Sequence, residues 1–270
     1  MDKEEKSSQN FTAYVLLLFS MILWGSSFIA LKIAYRGYHP MFIMFVRLAL
    51  SSIIFLPFIR GFFKKYQKGD YKWLILMALF EPCLYFTFEA EALRLTTAAQ
   101  AGMICALLPL LVAIPSFFYL KEKIGLPMII GFAIAVAGSI WLSLISEGSK
   151  AGPDPLLGNT LEFLAMICAT GYTVSVKKLA TRYSALHLTS VQAFVGAPYF
   201  LIRTILAKNA FPVAFHLEAT LATLFMAVFV STLAYLFYAR GIQKTSATTS
   251  SLFINLIPVI TLVFSIFILK

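Results

Sequence analysis

The sequence predicts an all-α polytopic membrane protein, an inverted repeat of five-helix units with the last of ten helices missing from this chain. Three observations carry that prediction. Of the 270 residues, 60% are hydrophobic and only 13% are charged, about half the charge of a soluble chain, and the mean hydropathy is +0.85. The apolar residues gather in runs long enough to cross about 30 Å of hydrocarbon as helices. One late run also repeats an earlier one, proline included.

The elements follow in order. The polar opening MDKEEKSSQN belongs to a cytoplasmic N-terminal tail over 1–12. The first apolar run, 13–34, is too long for a signal-peptide core and ends in no small-residue cleavage pattern, so it is a retained span. Spans two to five are expected at 40–59, 72–93, 97–120 and 126–145. The stretch SEGSKAGPDPLLGN, rich in Gly and Pro and poor in hydrophobic residues, then breaks the pattern and supplies a linker at 146–156. Four more spans are expected at 157–178, 187–206, 219–239 and 248–269. The linker thus divides a first repeat, 13–145, from a second, 157–270, of which four helices are visible.

A net charge of +10 would suggest nucleic acid in a soluble domain. Here most basic residues sit in short loops such as RGFFKKYQKGDYK, where they orient a membrane protein. The positive-inside rule favours a cytoplasmic N-terminus, in a plasma (inner) membrane, and no nucleic-acid partner. Cys83, Cys105 and Cys168 all lie inside apolar runs, as small buried hydrophobes with no disulfide framework. Gly131, Ala135 and Gly138 share one face of the fifth span, a seam for helix packing or a homodimer.

The repeat is read residue by residue. TTAAQAGMICALLPLLVAIPSFFYLK, from Thr96, lies over TSATTSSLFINLIPVITLVFSIFILK, from Thr245. Thr96 meets Thr245, Ala98 meets Ala247, Pro109 meets Pro258, Ser116 meets Ser265 and Lys121 meets Lys270. Apolar bias alone does not align a proline and a Thr-x-Ala opening. Five spans per repeat is odd, so the second copy enters the membrane upside down, and inverted repeats of this kind hold substrate near the midplane. Because Lys270 matches Lys121, a tenth helix of roughly 25 residues is expected beyond it. A nine-helix protein is the alternative.

WGSSFIALKIA at 24–34 and AEALRLTTAAQAGMICALLPLLVAIPSFFYLKEKIG at 90–125 resemble the EamA family of the drug/metabolite transporter superfamily. GYTVSVKKLATRY at 171–183 and GIQKTSATTSSLFINLIPVITLVF at 241–264 are the matching pieces of the second repeat. The resemblance implies a ten-helix carrier, with many relatives exporting amino acids and other small metabolites. The family pattern has aromatic or small residues where this chain has Glu89 and Glu91.

The segment FEPCLYFTFEAEALRLT at 80–96 carries three glutamates inside a predicted span, although a carboxylate at the bilayer centre costs at least about 2.5–3.5 kcal/mol. Counting about 1.5 Å per residue from Lys72 puts Glu81 about 14 Å deep, near the midplane. No Lys or Arg is expected at that depth. An unpaired carboxylate there holds its proton, binds a cation or faces a wet cavity. Pro82 removes a backbone donor and turns Glu81 away from regular helix. Glu81 is therefore the first candidate for substrate binding or proton coupling. Tyr85 and Glu89 follow on the same stripe. Glu89 has Arg47 or Lys32 as expected partners, whereas Glu91 is expected to pair with Arg94 at the membrane edge.

Trp24 sits near the centre of the first span, where a cavity wall explains it better than a lipid interface. Asn255 lies midway along the ninth span, for substrate or for an interhelical hydrogen bond. Tyr172 and Tyr235, with Thr173 and Tyr238, are weaker wall candidates. Gln100, Asn159 and Glu162 are candidates for an outer gate. Pro82, Pro109 and Pro258 are candidate flex points.

The leading functional class is a secondary carrier exporting small polar metabolites by exchange or with protons, its partners being the small-molecule substrate and the lipid bilayer. A membrane enzyme is disfavoured because His39, His187 and His216 lie near loops with no metal-ligand spacing. A channel or non-transport membrane protein is the alternative, with no filter-like segment evident. No Walker motif, metal set or cofactor is implied.

Overall fold

The computed structural model describes residues 3–61, 66–67, 69–123, 125–126, 129–134, 137, 141 and 152–268. Among them every regular element is a helix. Seven helices are long and apolar enough to cross a membrane: Phe11–Ala34, Pro40–Phe58, Asp70–Leu95, Gln100–Leu120, Ala185–Leu206, Leu217–Lys244 and Ala247–Ile268. They correspond to the predicted spans one to four and seven to nine. The sixth is a 25-residue helix, Pro155–Leu179. Asn159, Thr160, Glu162 and Thr173 make it more polar than the other seven, and Glu162 and Thr173 are buried. Most of the predicted fifth span, with Ala135 and Gly138 of the small-residue seam, lies outside the described residues, as do linker residues 146–151. The first helix begins at Lys3, so part of the predicted tail continues it; Glu, Lys and Gln are good helix formers.

Helices of the first half pack on helices of the second. The second span lies on the seventh, the third on the sixth, and the first on the eighth and ninth. Glycines mark the closest approaches. A Cβ on Gly171 would stand 2.5 Å from the Phe80 ring, one on Gly196 2.5 Å from Pro82, and one on Gly25 2.6 Å from Ile260. In lipid, where helix association gains little from burying apolar surface, such small residues let backbones close up. Outward faces are apolar: Phe118, Leu206 and Phe267 are 69%, 77% and 72% exposed.

Four interruptions shape the interior. The third span breaks over Leu79–Leu84, a π turn in which Glu81 is extended (φ −150°, ψ 120°) and the Glu81–Pro82 peptide bond is cis. The eighth span carries a π stretch at Met226–Ala234. The fourth is split into Ala98–Cys105 and Leu108–Pro115, and the ninth into a 3-10 turn, Phe253–Asn255, and Leu256–Ile268. Pro109 and Pro258 each stand just inside the new segment, where a proline costs no helical hydrogen bond.

Helix ends are closed by side chains. His39, Thr97, Asp154, Ser184 and Ser246 each accept a bond from a backbone N–H of the first turn, as N-caps should. At the other polarity, Lys32 Nζ donates to the carbonyls of Leu93 and Thr96 (2.7 Å to Thr96). Lys177 Nζ does the same for Ile242 (3.0 Å) and Thr245. These are the last carbonyls of the third and eighth spans, which have no intrahelical donor. Lys32→Met and Lys177→Met should each cost about 1–3 kcal/mol, the penalty for a buried acceptor left unmet. A thermal melt in detergent would show it as a lower midpoint, and an unchanged midpoint in either variant would refute the capping role.

Candidate functional site

Between the two halves the helices leave a narrow cavity of about 40 Å³, room for a few waters. Its wall takes in Trp24, Glu81, Tyr85, Glu89, Tyr172 and Tyr235, six of the seven residues expected to bind substrate or a proton. Arg47, Phe86, Cys105, Thr173 and Tyr238 line it too. Asn255 does not. It is half-buried on the 3-10 turn, its neighbours Ile254 and Ile257 form the wall, and its Oδ1 has no partner among the described residues.

Glu81 reaches the cavity because the chain leaves helical geometry there, and its side chain is only 5% exposed. Its Oε1 accepts a hydrogen bond from the Tyr235 hydroxyl. Its carbonyl accepts one from Gln192 Nε2 at 3.1 Å, and Gln192 Oε1 accepts one from the Tyr172 hydroxyl at 3.2 Å. Backbone that departs from helix inside a membrane survives only where such partners meet it. Gln192, the side-chain amide of the seventh span, escaped the sequence reading. An amide within the otherwise apolar SVQAFVGA was its only signal.

The expectation that no base stands near Glu81 needs correction. Arg47, 1% exposed, lines the same cavity and interacts electrostatically with Glu81 and Glu89. A depth ruler along separate helices cannot register how far a six-atom side chain reaches sideways. The guanidinium lies 4.5 Å from the centroid of Phe86, a cation–π distance. Arg47 Nε donates to Ser231 Oγ at 3.0 Å. Glu89, only 4% exposed, accepts the Tyr85 hydroxyl at 2.9 Å. Lys32 is occupied with the carbonyls named above, so it does not serve Glu89. Glu91 pairs with Arg94 at 2.9 Å and is partly exposed, as expected.

The expected outer gate divides in two. Gln100 Oε1 and Asn159 Oδ1 (2.8 Å) both meet the Thr96 hydroxyl. There the sixth span approaches so closely that a Cβ on Gly158 would stand 2.9 Å from Thr96. Glu162 lies one turn further along and is fully buried. Its Oε1 accepts the Cys105 thiol at 3.7 Å, and its Oε2 has no partner among the described residues. It interacts electrostatically with Glu89, although it does not itself line the cavity. Among the described residues no group of His, Cys, Asp and Glu could hold a metal ion.

Membrane-length helices around a buried, charge-bearing cavity define an integral membrane protein. The comparisons with known proteins narrow this. The model of the EamA-like transporter family matches twice, over residues 11–144 and 156–270. The chain belongs to that family. It is 28% identical over 268 residues to the uncharacterized transporter YetK of Bacillus subtilis (strain 168), covering 96% of this chain and 80% of that protein. An uncharacterized transporter of Archaeoglobus fulgidus is 24% identical over 97% of this chain and 90% of its own length. Protein PagO of Salmonella typhimurium is 25% identical over 91% and 81%. A crystal structure of a protein with 18% identity superposes with a TM-score of 0.72 over 96% of this chain and 88% of its own. That likeness concerns the fold.

Gln192→Leu should unmeet both the Glu81 carbonyl and the Tyr172 hydroxyl, at about 1–3 kcal/mol for each buried group. Tyr172→Phe removes one of those bonds. The double variant should then cost clearly less than the two single losses added, as residues sharing a hydrogen bond do. Additive shifts in the detergent melt would show that the bridge is not formed.

Proposed function

We propose that this chain is a secondary carrier that exports small polar metabolites, amino acids or related compounds, by alternating access. The observation that carries the reading is the enclosed cavity whose wall holds two carboxylates, Glu81 and Glu89, and one guanidinium, Arg47. Arg47 interacts with both Glu81 and Glu89, so two carboxylates share one guanidinium and one negative charge is left in excess. A substrate ammonium or a proton balances that charge. Glu81 is the anchor or proton carrier, Tyr235 its hydrogen-bond donor, and Gln192 the residue that holds its backbone.

An inverted repeat is supported by several paired features. The family model matches each half, and π turns interrupt the third and eighth spans at corresponding points. Lys32 and Lys177 close the ends of those same two spans. In this reading the halves rock about the cavity, with Pro82, Pro109 and Pro258 at the breaks. The Thr96–Gln100–Asn159 cluster closes the outer mouth, and the N-terminus lies in the cytoplasm below a plasma (inner) membrane.

Proteoliposomes containing the purified chain should show saturable counterflow for a member of a labelled-metabolite panel. Ungated conductance in place of saturation would sink the carrier. Glu81→Gln should lower that counterflow at least about tenfold and flatten its pH profile while leaving expression intact. Glu91→Gln, at an exposed pair worth about 0–1 kcal/mol, should leave it within about twofold. An unchanged rate and pH profile in Glu81→Gln would remove Glu81 from the mechanism.

A further inference from the structure

The first, eighth and ninth spans leave a groove of about 680 Å³ between them, against about 40 Å³ for the central cavity. Ile29, Ile33, Leu221, Phe225, Phe264 and Ile268 make its walls apolar. Leu221 and Ile268, 57% and 54% exposed, leave it open to the lipid. Along the first span it runs from Ser26 to Arg36. That is about 15 Å at helical rise, one leaflet's share of about 30 Å of hydrocarbon. Two exposed charges of opposite sign, Arg36 and Glu218, stand at one end of it. Neither has an ion-pair partner among the described residues. A close helix contact beside them puts both on one rim. A Cβ on Gly37 would stand 2.8 Å from the Cβ of Ala219, and the Tyr38 and Thr220 hydroxyls meet at 2.6 Å.

We infer that this groove binds a phospholipid whose headgroup carries a phosphate and a primary ammonium, a phosphatidylethanolamine, with an acyl chain along the apolar walls. The inference is independent of what the central cavity carries. Apolar walls alone take any acyl chain, so the headgroup decides. A guanidinium presents a planar fork of N–H donors that matches a phosphate. An ionised carboxylate only accepts hydrogen bonds, and a primary ammonium has three N–H groups to give it. One headgroup of this kind therefore answers both rim charges. Phosphatidylcholine satisfies Arg36, but its quaternary nitrogen has no N–H for Glu218. Phosphatidylglycerol brings no cation, and its net negative charge faces the carboxylate. Glu218 lies in the first turn of the eighth span, where the helix dipole favours an acidic residue. The dipole holds that charge at the rim but gives Arg36 no partner.

Native mass spectrometry of the full chain tests this, with the protein in detergent and equimolar phosphatidylethanolamine, phosphatidylcholine and phosphatidylglycerol of identical acyl chains. Phosphatidylethanolamine should be retained about two- to fivefold over each of the others, the range that exposed ion pairs support. Glu218→Gln should remove its advantage over phosphatidylcholine, and Arg36→Gln should lower retention of both. Ala222→Trp, which fills the groove from its wall, should lower retention of all three lipids. Detergent melts report that each variant folds, and the two charge variants decide the matter if Ala222→Trp does not. Equal retention of the three lipids overturns the inference. So does a phosphatidylethanolamine preference that survives both charge variants, or retention unchanged in a folded Ala222→Trp. A dimer mass that Ala222→Trp reduces to a monomer would make a second copy the occupant, and no retained lipid on a monomer would give the groove to another segment of the chain. Either result also overturns it. None of these readouts uses counterflow, so the carrier reading stands or falls separately.

Discussion

The interior depends on one constraint: where the third and eighth spans pass through π turns inside a membrane, every backbone group so released must find a partner away from water. At the third span the partner is Gln192, which donates to the Glu81 carbonyl. At the eighth it is the second span, where Ser51 Oγ donates to the Ser231 carbonyl at 3.4 Å and meets the Thr232 hydroxyl at 2.9 Å. Arg47, one turn earlier on the same helical face, donates to the Ser231 hydroxyl. In each case the helix that satisfies the break belongs to the other half of the chain. The breaks and the contact between halves are thus one arrangement: neither the second nor the seventh span can move without exposing polar backbone.

The same arrangement sets the electrostatics. Breaking the third span turns Glu81 inward, and close packing at Gly171 and Gly196 brings the sixth and seventh spans onto that break. Tyr172 and Gln192 arrive with them. The cavity then gathers Glu81 and Glu89 against a single guanidinium among its lining residues. In a medium of low dielectric such an imbalance is costly unless a cation or a proton shares the space.

Rigidity at the ends complements the breaks in the middle. Lys32 ties the first span to the end of the third, and Lys177 ties the sixth to the end of the eighth. Glu122 accepts from Ala247 N at 2.7 Å and from Thr248 N at 3.0 Å, adding a charged cap to the ninth span. Asp70 joins Arg182 at 2.7 Å and Tyr183 at 3.1 Å, linking the start of the third span to the turn after the sixth.

The sequence by itself determined the membrane class, the positions of spans one to four and seven to nine, and the break at Pro82, because these follow from hydrophobic run length and from proline's missing donor. It also singled out Glu81, since a carboxylate beside a proline inside an apolar run is costly wherever it lands. The Glu91–Arg94 pair was legible because both partners lie on one helix at fixed spacing. Only the tertiary structure decided what lies across from each helix. It brought Arg47 beside the glutamates, gave Gln192 its two partners, sent Lys32 to carbonyls instead of Glu89, and kept Asn255 off the cavity wall. The reason is geometric: sequence spacing fixes direction around one helix axis, while contacts across a cavity depend on how helices cross, and that is set by glycines and breaks acting together.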